Sequence, residues 1–410
     1  MNPATPSRPS AATPLPTGAP AAARTVLKLL QRLKHGTLTV QLPDGSVQRC
    51  GHGDGPAASL HLHNWNVCSA ALKSGDIGFA EGFIAGDWST PALTDLLRLF
   101  IANRREVESV IYGSWLGRLV YRLKHLLNRN TKGGSQKNIH AHYDLGNAFY
   151  ELWLDDTMNY SSAVFESPGQ SMRLAQQAKV RRALRMVDVQ PGQRVLEIGC
   201  GWGALAEMAT TEFGASLVGV TLSTEQLAWA QQRMARLGMQ DRAELRLQDY
   251  RDIARTEAPF DAVCSIEMIE AVGREFWPTY FQTVASLLKP GGRACIQSIV
   301  IADEFFERYL DSTDFIQQYI FPGGCLPSPQ AFREQARLAG LTVVDEFCFG
   351  QDYAQTLRLW RDDFLRQESE VLKLGFDRKF MRIWEFYLAY CEAAFAERST
   401  DVVQFTLQKA

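Results

Sequence analysis

The stretch SIEMIEAVG (Ser265–Gly273) places two glutamates, Glu267 and Glu270, three residues apart. It follows FDAVC, an apolar run that reads as a buried strand. Carboxylates at the mouth of a buried strand are costly to desolvate unless a ligand or a reaction uses them. An acid/base pair is one reading of them. A second chemical cluster lies at VLEIGCGWG (Val195–Gly203), where Gly199, Gly201 and Gly203 permit a tight turn and close approach of a ligand. Their spacing is G-x-G-x-G, not the G-x-G-x-x-G of dinucleotide binders. Glu197, at the end of the preceding strand, would repel a pyrophosphate and attract a cationic group. A nucleoside with an amino-acid tail and a sulfonium meets both demands, which points to S-adenosylmethionine. Thr221, Leu222 and Gln226 end the next strand, where a ribose would lie; the acidic residue usual at that place is missing. Asp249 and Tyr250 end the strand after, where Asp could accept from an adenine amino group and Tyr could stack.

These residues need a scaffold that gathers strand ends. From about residue 170, strand-like runs (RVLEIG, SLVGVTL, AELRLQ, FDAVCSI, RACIQSIVI) alternate with helical ones. That alternation predicts a parallel, doubly wound α/β sheet, in which ligands bind at the carboxyl ends of the strands. A helix is predicted over Met172–Val187, just before the first strand. Upstream, GTLTVQLPDGSVQRCG reads as a hairpin around Pro-Asp-Gly. A helix capped near Ser89 or Thr90 follows, so residues 25–112 are expected to form a small α+β domain. Residues 1–24, rich in Pro, Ala, Thr and Ser, read as a disordered tail without the apolar stretch of a signal peptide. The segment 113–138 reads as a linker. Within it Ser114–Lys137 has no acidic residue and repeats leucines at helical spacing beside arginines and lysines. A basic amphipathic helix of this kind suits an anionic membrane surface, and a linker helix packed on the next domain is the plainer reading.

The chain has 410 residues and a net charge of -2, unevenly spread. Residues 1–137 hold 16 Lys+Arg against 8 Asp+Glu, a net of +8; the remainder holds 27 against 37, a net of -10. Eight scattered cysteines form no C-x-x-C pair, which argues against a disulfide framework or a metal cluster and fits a reducing compartment. No apolar run is long enough to span a bilayer.

The segments AHYDLGNAFYELWLDDTMNYSSAVFE (141–166), VLEIGCGWG, SIEMIEAVG, LKPGGRACIQSIVI, DFIQQYIFPGGCLPS (314–328), DYAQTLRLW (352–360) and YLAYCEAAF (387–395) resemble the cyclopropane-fatty-acyl-phospholipid synthase family, which includes the mycolic-acid cyclopropane synthases. The resemblance covers nearly all of residues 139–410, the expected catalytic domain. GDIGFAEGFIAGDW also looks like the N-terminal domain of the bacterial lipid enzymes. The resemblance implies a Rossmann-like class I methyltransferase fold with a seven-stranded, mostly parallel sheet, DVVQFTLQK being its antiparallel last strand. It implies methyl transfer from S-adenosylmethionine to a cis alkene of a phospholipid acyl chain. The resulting carbocation would be faced by aromatic rings drawn from Tyr160, Tyr319, Phe321, Tyr353 and Trp360. A bound bicarbonate would then take a proton from the transferred methyl, closing a cyclopropane ring.

Carried over by position, the bicarbonate ligands are Glu270, Tyr353, and the backbone at Ser162 and Ile299, while Tyr160 and Ser161 touch the cofactor. Gln297 stands where many members have a histidine ligand, Ala271 where some have histidine, and Ser162 where cysteine is usual. Gln297 can donate a hydrogen bond to an anion but cannot carry charge, so a methyl- or methylene-branched product stands as the alternative to the ring. A small-molecule N-methyltransferase is a further alternative. Cys391 matches a cysteine often placed in the active site, although a buried core thiol fits it as well. Glu267 is left with a structural role at a helix N-terminus. The expected partner is the phospholipid membrane surface, met peripherally from the cytoplasmic side, with no nucleic acid. Family analogy is compatible with a homodimer.

Overall fold

The computed structural model describes residues 18–107 and 145–410. The chain divides into two compact units, Met1–Arg118 and Leu119–Ala410. The proposed basic helix at 114–137, most of the tail and the start of the HYDLGN motif lie outside the described residues.

The first unit begins with helix α1 (Ala21–Leu30), which buries Ala23, Leu27 and Leu30. Ordered structure therefore starts inside the stretch assigned to the tail, because an apolar stripe at helical spacing begins there. Strands β1 (Thr37–Gln41) and β2 (Val47–Cys50) form the predicted hairpin. β3 (Ala57–Leu62) pairs parallel with β1, and β4 (Trp88–Ser89) closes a four-stranded sheet of order β2-β1-β3-β4. Helices α2 (Asn66–Ala85) and α3 (Leu93–Ala102) complete the unit. The expected cap of α3 is corrected: its N-cap is Ala92, with no side-chain bond, while Ser89 belongs to β4. Thr90 instead accepts from the amide of that N-cap residue, Ala92, at 3.3 Å.

The second unit carries the chemistry. After α4 (Asn147–Glu151) and α5 (Met172–Met186), the alternation runs β5 (Arg194–Ile198), α6 (Ala204–Thr211), β6 (Ser216–Thr221), α7 (Thr224–Leu237), β7 (Ala243–Leu247), β8 (Phe260–Ile266), α8 (Trp277–Leu287) and β9 (Leu288–Ile301). Four helices follow before and after β10: α9 (Asp303–Leu310), α10 (Phe315–Tyr319), α11 (Pro329–Leu338), then β10 (Leu341–Cys348) and α12 (Gly350–Arg366). The chain ends with α13 (Glu368–Lys373), α14 (Arg378–Ala396) and β11 (Thr400–Lys409).

The sheet has seven strands in the order β10-β11-β9-β8-β5-β6-β7. Only β11 runs antiparallel to its neighbours, as the resemblance implies. Side chains alternate between its two buried faces. Leu196 and Ile198 enter one apolar core with Val263, Ile296 and Phe405, while Val195 enters another with Leu217, Cys264 and Cys295. Burial on both faces explains the near-continuous apolar runs of the strands. Each buried branched side chain stabilises by roughly 1.5–3 kcal/mol, which holds the strand ends at one rim.

Candidate active site

Two cavities open at that rim. The first is a cleft of about 1190 Å³, its open mouth included, lined by Tyr160, Glu197, Gly199, Gly201, Thr221 and Asp249, among others. Gly199 has φ 85° and sits against Met268, where an added Cβ would come within 3.1 Å of the Met268 side chain. Glu197 is 3% exposed, and its Oε2 has no hydrogen-bond partner. Burial raises its pKa well above the usual carboxyl range, opposed by Lys179 and Arg233. An orphaned buried carboxyl oxygen beside a glycine turn fits a ligand that brings its own donor or positive charge, as S-adenosylmethionine does. Gln226 takes a hydrogen bond from Thr221 Oγ1 at 3.0 Å, so this pair offers a ribose neutral groups. Leu222, Gly201 and Ser161 line the same cleft. Gly203 instead N-caps α6 at φ 84° and does not line it. Asp249 lies there too, but its carboxylate already pairs with the Arg251 guanidinium at 2.5 Å and accepts from the Arg251 amide. Its role toward a base is therefore shared with Arg251. Tyr250 lines the cleft edge-on to Tyr280.

The second cavity, about 1310 Å³ with its open mouth included, is lined largely by aromatic and aliphatic groups, including Tyr309, Phe321, Leu357, Tyr387 and Tyr390. Its width of apolar surface suits an acyl chain. Tyr160, Tyr353 and Phe321 line it, as expected of cation-facing rings. Trp360 stands behind Tyr160 at 5.5 Å between ring centroids, and Tyr319 packs on Phe315. Neither of these two forms the cavity wall. Tyr387, which the sequence did not single out, shares a 2.7 Å hydroxyl contact with Tyr160. Cys391 lines this cavity, and burial pushes its thiol far above the usual range, so it stays protonated. It is a wall residue kept as the neutral thiol by burial and by the nearby Asp314 charge.

Tyr160, Glu267 and Ala271 line both cavities. A group passing from one ligand to the other must cross there. The carboxylate at this crossing is Glu267. Its Oε1 accepts from the Ser162 amide at 2.9 Å and from Gln297 Nε2 at 2.7 Å. Its Oε2 accepts from the Tyr353 hydroxyl at 2.6 Å. Its own amide donates to the Gln297 carbonyl at 2.8 Å. The backbone of Glu267 has φ 49°, a left-handed conformation that side chains other than glycine seldom adopt. Such outliers persist where surrounding contacts over-determine them, and functional sites collect them.

The structural role expected for Glu267 is thus corrected. The helical spacing that would set it beside Glu270 does not arise, because the chain turns left-handed at Glu267 and the short 3₁₀ turn begins only at Ile269. Glu270, expected to share an anion with Tyr353, Gln297 and Ser162, instead bonds the Ile299 amide through Oε1, and its Oε2 has no partner. Of the expected anion ligands, Ser162, Gln297 and Tyr353 meet on Glu267, while Ile299 meets Glu270.

The electrostatics separate the two carboxyls. Both touch cavity space yet lie deep in the protein. Burial, then the nearby Glu267 charge, pushes Glu270 up to about 8, so it is mainly protonated at neutral pH. Glu267 is also raised by burial, but Tyr353, the Ser162 amide, Lys179 and Gln297 all pull it back. Lys179, fully buried on α5, donates to Ser161 Oγ at 2.5 Å and to Asn159 at 3.3 Å. Burial lowers it to about 8, opposed by Glu267, Asp155 and Glu197. Glu267, a carboxyl at a strand end like Glu197, is marked by the sequence, but its hold on three donors is not. No local signal marks Lys179 or Tyr387.

Residues 130–405 match the family model for mycolic acid cyclopropane synthetase. The chain belongs to that family. This cyclopropane-synthetase-family protein is similar to mycolic acid cyclopropane synthase CmaA1, solved with SAH and CTAB: 32% identity, TM-score 0.62, over 67% of this chain and 98% of that one. Across its whole length it is 38% identical to tuberculostearic acid methyltransferase UfaA1 of Mycobacterium tuberculosis, over 96% of this chain and 93% of that one. It is 32% identical to the cyclopropane-fatty-acyl-phospholipid synthase of Escherichia coli, over 87% and 89% respectively. The family member described here is an S-adenosylmethionine-dependent fatty-acyl methyltransferase. No helix among the described residues is long and apolar enough to cross a membrane.

Proposed function

We propose that this enzyme methylates the double bond of an unsaturated phospholipid acyl chain to give a methylene-branched chain, with Glu267 as a built-in base in place of bicarbonate. The observation that carries this reading is the Glu267 carboxylate on the three donors, Ser162, Gln297 and Tyr353, expected to hold the external anion. A second anion placed there would lose those donors and face a carboxylate. The likeness to a tuberculostearic acid methyltransferase, higher than that to a cyclopropane synthase, supports the same product class.

Glu197, Tyr160, Ser161, the 199–203 turn and the Thr221–Gln226 pair would hold S-adenosylmethionine, whose chemistry is an electrophilic methyl. The alkene π pair would form the new bond to the methyl carbon as the bond from that carbon to sulfur breaks, leaving the thioether S-adenosylhomocysteine and positive charge on the neighbouring alkene carbon. Tyr160, Tyr353 and Phe321 present ring faces or edges to that region and keep water from it. The outcome then depends on timing. Immediate loss of a methyl proton closes a ring. A hydride shift first moves the charge to the methyl-bearing carbon, and loss of a methyl proton then gives an exocyclic methylene. Glu267 is pinned by three hydrogen bonds, which lower its basicity and stop it from following the methyl group. Slow proton removal favours the shifted cation. Glu267 takes the proton in either case. The excess positive charge of residues 1–137 suits work at an anionic phospholipid surface.

The test is incubation with S-adenosylmethionine and vesicles of cis-unsaturated phospholipid, with and without bicarbonate, followed by fragmentation of the acyl chains. A methylene branch formed equally in bicarbonate-depleted buffer is expected. A cyclopropane product, or turnover that collapses without bicarbonate, would overturn the proposal.

A further inference from the structure

Gln297 and Gln404 are direct partners across β9 and β11, and both are fully buried. An amide side chain can be turned either way round, so its donor and acceptor ends need an external reference. Here two references exist. Arg182 NH1 lies 2.8 Å from Gln404 Oε1, and a guanidinium can only donate. The Lys179 carbonyl lies 3.2 Å from Gln404 Nε2, and a carbonyl can only accept. Gln404 is therefore locked. Its Nε2 also donates to Gln297 Oε1 at 3.0 Å, which locks Gln297 in turn and leaves Gln297 Nε2 as the donor to Glu267. Arg182 is itself anchored by Asp345 at 2.7 Å and stacks over Phe347 at 4.2 Å.

We propose that Arg182 and Gln404 are positioning residues that force position 297 to present an N–H to Glu267, holding that carboxylate ionised and ready to accept a proton. The chain of bonds has one consistent direction, from a guanidinium through two amides to an oxygen that must accept. A proton on that oxygen would oppose the Gln297 donor. The other charged or titratable groups facing Glu267 are Tyr353 from α12, Lys179 from α5 and Glu270 from its own turn. None of them depends on the Gln404 amide for its bond. This inference rests on the reading of Glu267 as base.

Gln404→Glu tests it. The new carboxylate would keep Arg182 but could not donate to Gln297, whose amide would turn its oxygen toward Glu267. The expected result is a kcat lower by about 10- to 100-fold at pH 7, the scale of one hydrogen bond to a charged group. The acid limb of the kcat–pH profile moves upward by about one unit, with KM for S-adenosylmethionine changed less than about threefold. Gln404→Met and Arg182→Met, which remove the reference without adding charge, should move the limb the same way by less. They decide the question if Gln404→Glu does not fold. Folded variants with unchanged kcat and acid limb would overturn the inference. Full turnover by Glu267→Gln would instead remove the base reading beneath it, so the two failures are distinguishable.

Discussion

The cofactor cleft and the acyl cavity meet at one wall but are built by different rules. The cleft takes much of its lining from the ends of successive parallel strands, in segments that follow one another in sequence: 197–202, 220–222 and 248–251. The acyl cavity gathers residues from β8 to β11 and the helices between, with Tyr160 and Tyr387 meeting across 227 residues. The cleft offers buried polar atoms still seeking partners, such as Glu197 Oε2; the cavity offers rings. A strand end is a local feature that any chain with the right alternation produces. A cavity among long helices exists only after those helices have packed. The Glu267 carboxyl stands where the two rules meet, just past the end of β8 and on the wall of the helical cavity.

Breaking that shared wall should have the largest effect. Glu267→Gln keeps the shape and removes the base, and methyl incorporation should fall by about 10²–10⁴-fold. Binding of S-adenosylmethionine, measured by calorimetry, should change little, because the cleft lining is otherwise intact. Tyr353→Phe removes one donor to the same carboxylate from the cavity side. Its expected cost is about 10- to 100-fold in kcat, with the acid limb moved upward because the tyrosine hydrogen bond lowers the Glu267 pKa.

The comparison sharpens if the built-in carboxylate is exchanged for a free one. Glu267→Gly suits the left-handed backbone at φ 49° and empties the three-donor site. Combined with Gln297→His, it should give an enzyme whose turnover rises severalfold on adding bicarbonate. Gln297→His alone should show no such response, since Glu267 still fills the place. Acyl-chain analysis with and without bicarbonate checks both variants.

Glu270 gives a smaller effect, on stability rather than turnover. Its folded pKa is raised to about 8 from an ordinary value near 4.5. The protonated form is the one the fold prefers. The stability it contributes is therefore fully present below pH about 4.5 and lost as pH rises through about 8. In cofactor-free protein, melting temperature should decline over that window more steeply than in Glu270→Gln. Equal slopes would show that Glu270 is ionised in the fold. The smallest effect belongs to Cys391→Ser, a protonated wall thiol, which should alter kcat by less than about threefold.

Legibility followed the same division. Glu197, the glycine turn, Thr221 and Tyr250 could be read because each lies in or just past a strand that announces itself by its own apolar run. Tyr353, Gln297 and Ser162 could be named by resemblance, but not the group on which they converge. Glu267 reads along the chain as a helix-N-terminal carboxylate, but a left-handed residue at the end of β8 turns its carboxyl onto donors from distant segments. Arg182 and Gln404 gave no signal, since their bond spans 222 residues and depends on the antiparallel register of β11 against β9.

The sequence by itself determined the alternating α/β frame, whose seven-strand count the resemblance implied, the rim where ligands bind and most of the side chains present there. Alternation and apolar burial act within a few residues, so they can be read along the chain. Only the tertiary structure decided which carboxyl holds the three donors and which way the Gln297 amide faces. Those choices depend on a backbone angle and on hydrogen bonds between distant segments, and they come into being together when the core closes.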